Sequence, residues 1–149
     1  LLSELAAVGF QRFRAALAAE APPEASVVAR LDAMGRAYVT FARSHPGLFT
    51  LVFRSERLDP ARPALHEAMD AAGAALVAAV SARRQEVITR EAPTLEQVAA
   101  VVRTWSKVHG FAVLLLDGRL REFLSRLPHG PDEMALLSAV LKPDSPASG

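Results

Sequence analysis

Apolar residues recur every three or four positions along most of this chain and nowhere alternate for the length of a strand, so the pattern predicts helices throughout. Leu2–Ala19 carries Leu2, Leu5, Ala6, Gly9, Phe10, Phe13 and Leu17 on one face, and Ala21-Pro22-Pro23 ends it. Ser26 is placed to cap a second helix running to Ser44, with Val27, Leu31, Met34, Tyr38, Phe41 and Ala42 inward. Gly35 in its middle costs up to ~1 kcal/mol against Ala, so it serves close helix packing or makes room for something. His45-Pro46 breaks the helix and starts a short one over Gly47–Arg54. After a loop at Asp59–Pro63, a long helix is expected over Pro63–Arg90, with Leu65, Met69, Ala72, Leu76, Val80 and Val87 inward.

The clearest helix follows. Thr94 and Gln97 have the spacing of a capping box, and Asp117-Gly118 supplies a left-handed stop. Glu96, Arg103 and Lys107 share one face, and Val98, Val102, Trp105, His109, Ala112 and Leu116 form the opposite one, expected to point into the core. From Phe111 to Leu116 the helix is apolar all round, which demands burial on every side. In so short a chain, a second copy covers that half more easily than the first. A short helix over Arg119–Leu127 and a last one over Asp132–Leu141 complete an all-α bundle of six to eight helices. Residues 143–149 read as a mobile Pro/Ser tail after a single domain spanning 1–142.

Composition narrows the function. A 51% hydrophobic content and a mean hydropathy of +0.20 suit a helical protein with an interface or cavity. The formal net charge of +1 gives no bulk attraction to nucleic acid or an anionic membrane. With no Cys, disulfides, Cys-based zinc and a thiol nucleophile are excluded. No uncharged run is long enough to span a bilayer, and the opening Leu-Leu-Ser-Glu is no signal peptide, so a cytoplasmic location is expected. The missing initial Met reads as a trimmed or excised part of something longer, and the Arg-over-Lys, Ala-rich composition as bacterial. The four His are scattered without di-iron spacing, and His66-Glu67 lacks the second His of a zinc-protease motif. No phosphate-cradling Gly loop, nucleophile elbow or helix-turn-helix recognition helix is present. No catalytic residue, metal or cofactor is expected.

Two stretches together carry a family resemblance. One runs from Tyr38 to Phe53 through Phe41, His45-Pro46 and Phe49; the other is Trp105-Ser-Lys-Val-His109-Gly110. They resemble the C-terminal regulatory domain of tetracycline-repressor (TetR) family transcription regulators, in the subgroup marked by a Trp, His-Gly signature. The resemblance covers Leu1 to Leu141. It implies an N-terminal DNA-binding module ahead of this chain, with residues 1–20 as the linking helix, so that DNA is met only through that module. It also implies a homodimer whose last two long helices pair with their mates as a four-helix bundle, and a small lipophilic effector that alters DNA binding, most often to lift repression. No membrane partner is implied.

Tyr38, Phe41, Phe49, Val52, Phe53, Met69, Gly73, Leu76, Trp105 and His109 are the candidate effector site. An aromatic wall with one polar group suits a lipophilic ligand, while the same residues serve equally as plain core. Phe111, Val113, Leu114, Leu115, Met134, Leu137 and Leu141 are the candidate dimer interface. The alternative from another class is a small all-α enzyme or haem-type carrier using His109 in a buried pocket. Arg83-Arg84 and Arg119/Arg121 are expected to be solvated surface.

Overall fold

Each helix begins and ends where local chemistry satisfies its free backbone groups. A computed structural model of the chain describes residues 1–19, 24–53, 58–59, 61–130 and 132–142, and among these it contains seven α-helices and no strand. They are α1 (Leu2–Ala19), α2 (Val27–Ser44), α3 (Pro46–Val52), α4 (Pro63–Arg84), α5 (Leu95–Leu116), α6 (Arg121–Ser125) and α7 (Glu133–Leu141). The Ala21–Pro23 break, Arg54, Pro131 and the 143–149 tail lie outside the described residues. The all-α expectation holds.

The caps are those the sequence marks. Ser26 Oγ accepts from Ala29 N–H at 3.2 Å and Asp132 Oδ1 from Ala135 N–H at 2.7 Å. At α5 the capping box is complete: Thr94 Oγ1 accepts from Gln97 N–H at 3.2 Å, and Gln97 Oε1 accepts from Thr94 N–H at 3.0 Å. Gly118, at φ +71°, closes the other end.

The long helix stops at Arg84, short of the expected Arg90. Gln85 takes a left-handed φ of 55° and its N–H turns back to the Ser81 and Ala82 carbonyls. The β-branched run Val87-Ile88-Thr89 that follows has little helix propensity to resist this stop. Val87, expected inward, is therefore solvent-exposed in a loop. The short α6 likewise covers only Arg121–Ser125 of the expected Arg119–Leu127.

The core lies where α1, α2, α3 and α5 meet, built on Phe10, Phe13, Tyr38, Phe41, Phe49 and Phe111. α5 packs against α2, α4 and α7. Two charged clasps hold α7 on α2. Arg36 donates from Nε to Asp32 at 2.8 Å and from its terminal nitrogen to Ser138 Oγ at 2.9 Å, while Arg43 meets Glu133 at 2.6 Å. Gly35 permits close packing: a Cβ there would lie 2.4 Å from Leu141 Cδ1.

The face assignment of α5 needs correction. Val98, Val102 and Trp105, expected in the core, are between 43% and 49% exposed. Of the helix's 22 residues only Ala100, Val108, Phe111 and Ala112 are buried. By length and composition α5 is also apolar enough to cross a membrane, and here it packs against α2, α4 and α7. Phe111 and Leu137, expected in a dimer interface, are buried in the chain's own core, and Leu141 lies over Gly35. Leu115 and Met134 are half-buried against that core, whereas Val113 and Leu114 are open.

Two stability outcomes follow. Thr94→Ala removes the α5 cap and is expected to cost about 1 kcal/mol in urea unfolding. Gly35→Val drives a side chain into Leu141 and is expected to cost about 1–3 kcal/mol by overpacking; an unchanged midpoint would show that α7 does not rest on Gly35.

Candidate functional site

Tyr38 and His109 are 71 residues apart and joined by a 2.7 Å contact from the tyrosine oxygen to the imidazole Nδ1. Helical period brings them there: Tyr38 lies on the α2 face that also buries Phe41 and Ala42, and His109 lies one turn beyond Trp105 on α5. Aromatic rings enclose the bond. Phe53 and Phe49 lie 4.7 and 5.6 Å from the imidazole, and Phe13 of α1 meets Tyr38 edge-on at 4.9 Å. Trp105 lies 6.2 Å from His109 on the exposed side. Such edge-to-face pairs suit the ring quadrupoles.

Burial dominates the electrostatics. It pushes the Tyr38 hydroxyl well above its ordinary value, with the Trp105 indole N–H bearing on the same oxygen and acting the other way. It also pushes the His109 imidazole below its ordinary 6.5, and no charged neighbour contributes. At neutral pH the pair is therefore a neutral phenol against a neutral imidazole. His109 makes no hydrogen bond through Nε2 to any described residue, and that atom is not sealed in the interior. The site thus presents one solvent-reachable polar atom without a partner among the described residues, beside aromatic rings.

The predicted site residues fall into three groups. Tyr38, Phe49, Phe53, Trp105 and His109 come together. Phe41 and Val52 belong to the core behind them, Phe41 through Phe13 at 5.3 Å and Val52 buried near Gly9. Met69 and Gly73 are exposed on α4 and Leu76 is half-buried there; a Cβ on Gly73 would meet nothing within 4 Å. None of these three makes an aromatic contact with the cluster. Phe13 is the residue missing from the predicted site. Its place on the apolar stripe of α1 was legible, but not that the stripe meets Tyr38.

Two surface hollows lie elsewhere. One of about 380 Å³ runs between α1, α2 and α4 over the alanines Ala71, Ala75 and Ala79, with Arg14 and Arg30 among its lining. The other, of about 230 Å³, lies at the end of α5 by Arg43, Gly118 and Arg121. Neither includes a predicted effector-site residue, and the second is lined in part by Leu115 of the predicted interface. Among the described residues no group of three or more His, Asp or Glu is placed to hold a metal.

Tyr38→Phe leaves Nδ1 without its partner and is expected to cost about 1–3 kcal/mol in urea unfolding. The sign of the pH effect follows from the lowered imidazole. His109 binds its proton more weakly folded than unfolded, so its contribution is complete above pH 6.5 and is lost as pH falls through the folded value. Wild-type stability should therefore drop more steeply below pH 6.5 than that of His109→Gln, as read from urea midpoints across pH; parallel profiles would contradict a buried neutral His109.

Comparison with known proteins places this geometry in a family. No curated protein matches the chain. A solved structure described as a protein with unknown function from Rhodococcus sp. RHA1 is 28% identical, with a TM-score of 0.71, over 94% of this chain and 68% of that one. The family model described as "Tetracyclin repressor-like, C-terminal domain" matches residues 31–137, which include the Tyr38–Phe53 stretch, Trp105 and His109. Its span runs from the second turn of α2 to Leu137 of α7 and takes in the whole cluster except Phe13. The chain belongs to the tetracyclin repressor-like C-terminal domain family.

Proposed function

We propose that this chain is the effector-sensing and dimerising domain of a transcriptional regulator, a repressor of the Trp/His-Gly subgroup. It acts in the cytoplasm through an N-terminal DNA-binding module. One observation carries the sensing role: His109, held by Tyr38 among rings, keeps Nε2 without a partner among the described residues, beside a half-exposed Trp105. A general acid–base catalyst needs an ionisable group poised near neutrality beside the reacting group; this arrangement suits binding instead.

The route from site to DNA runs through α1. Phe13 packs on Tyr38 at 4.9 Å and on Phe53 at 6.4 Å, and α1 is otherwise fastened to the α4 entry by Ser3 Oγ, which accepts from Asp59 N–H at 2.9 Å. A ligand that shifts Tyr38 or Phe53 changes the surface on which Phe13 rests and moves α1. In a dimer that movement alters the spacing of two DNA-reading modules and weakens their joint fit to the two half-sites.

Dimerisation is assigned to the C-terminal half of α5, where Val113 and Leu114 stand open, together with α7. The double variant Val113→Glu, Leu114→Glu is expected to convert dimer to monomer in sedimentation velocity with helical circular dichroism retained. A dimer that survives both charges would place the interface elsewhere.

A further inference from the structure

The chemical character of the effector is written in the hydrogen-bond direction of the Tyr38–His109 pair. Two arrangements are open to a tyrosine oxygen against Nδ1: the phenol donates, or an Nδ1–H does. Tyr38 is buried, at 6% exposed, so its hydroxyl hydrogen needs a protein acceptor. If Nδ1–H donated to the tyrosine oxygen, that hydrogen would be left without one, because Tyr38 makes no other hydrogen bond among the described residues. The phenol therefore donates to Nδ1, and the ring proton of the neutral imidazole sits on Nε2. What the site offers is a single N–H donor, open and unpartnered, walled by Phe49, Phe53 and Trp105.

That donor decides among ligand groups. A cation finds no acceptor at Nε2, and a neutral imidazole gives an anion no charge to pair with. A neutral carbonyl or ether oxygen accepts the hydrogen bond at no charge-burial cost. The apolar body has a track ready: Trp105, Val102 and Val98 continue from His109 along one stripe of α5, each nearly half exposed, over roughly 16 Å of helix.

We propose that the effector is a neutral, elongated, mainly apolar molecule bearing a hydrogen-bond acceptor of the ketone, ester or lactone type. Its acceptor binds His109 Nε2–H and its body lies along Trp105, Val102 and Val98. This deepens the ligand-sensing reading above and rests on it.

The test uses the whole chain and the fluorescence of Trp105, the single Trp. The probes are methyl octanoate, octanoate, octylammonium and undecane. Methyl octanoate is expected to bind about fivefold or more tightly than the other three, the gain of one neutral hydrogen bond. His109→Phe is expected to erase that preference while undecane still binds. Octanoate or octylammonium binding as well as the ester would overturn the neutral-acceptor inference and leave the sensing site standing. So would four equal affinities unchanged in His109→Phe. Binding of none of the four removes the sensing reading, and this inference with it. Nitrogen-15 NMR of the His109 ring gives an independent check without ligand: a proton on Nε2 is expected, and a proton on Nδ1 would refute the assignment.

Discussion

α5 has more apolar surface than one chain covers. Its neighbours α2, α4 and α7 bury Ala100, Val108, Phe111 and Ala112, and leave Val98, Val102 and Trp105 half exposed in the first part and Val113 and Leu114 in the second. The capping box at Thr94 and the left-handed Gly118 keep the helix intact across this whole length, so the uncovered stripes stay aligned with one another. An exposed apolar stripe is costly in water, and one of this length marks a surface that something else covers. Two coverings fit the two halves: a ligand beside His109 and a second copy beside Val113.

A polar bond lies beneath the first half. A tyrosine hydroxyl and an imidazole both need partners when buried, and each satisfies the other at 2.7 Å. Burial raises the cost of charging either one, which keeps both neutral at neutral pH. Tyr38 also supports Phe13 of α1, so the residue that orients the histidine touches α1 as well.

Helix existence and most helix ends were legible in the chain, because caps are local chemistry. Ser26, Thr94 with Gln97, Asp132 and Gly118 each mark a boundary through atoms within four residues. The end of α4 was not, since a left-handed Gln85 carries no such mark. Face assignment on α5 failed for a different reason. Period shows which residues share a face, but α5 is apolar on several, and which one the chain covers depends on where α2 and α7 come to lie. Hence Trp105 and Val102 emerged half exposed, and Phe111 and Leu137 inside. Tyr38 and Phe49 lie on stripes their helices bury, Phe53 caps α3 beside them, and Trp105 and His109 are one turn apart on α5, so these five do meet. Met69, Gly73 and Leu76 satisfied the same periodicity on α4, which turns its alanines toward α1 and α2 instead.

The central claim is that two kinds of partner cover α5, and native mass spectrometry of the purified chain addresses both at once. The account predicts a dimer that retains added mass on the order of a few hundred daltons per chain, the size of molecule such a site holds, when sprayed with bound effector. A monomer with no capacity to retain an added lipophilic molecule would contradict it.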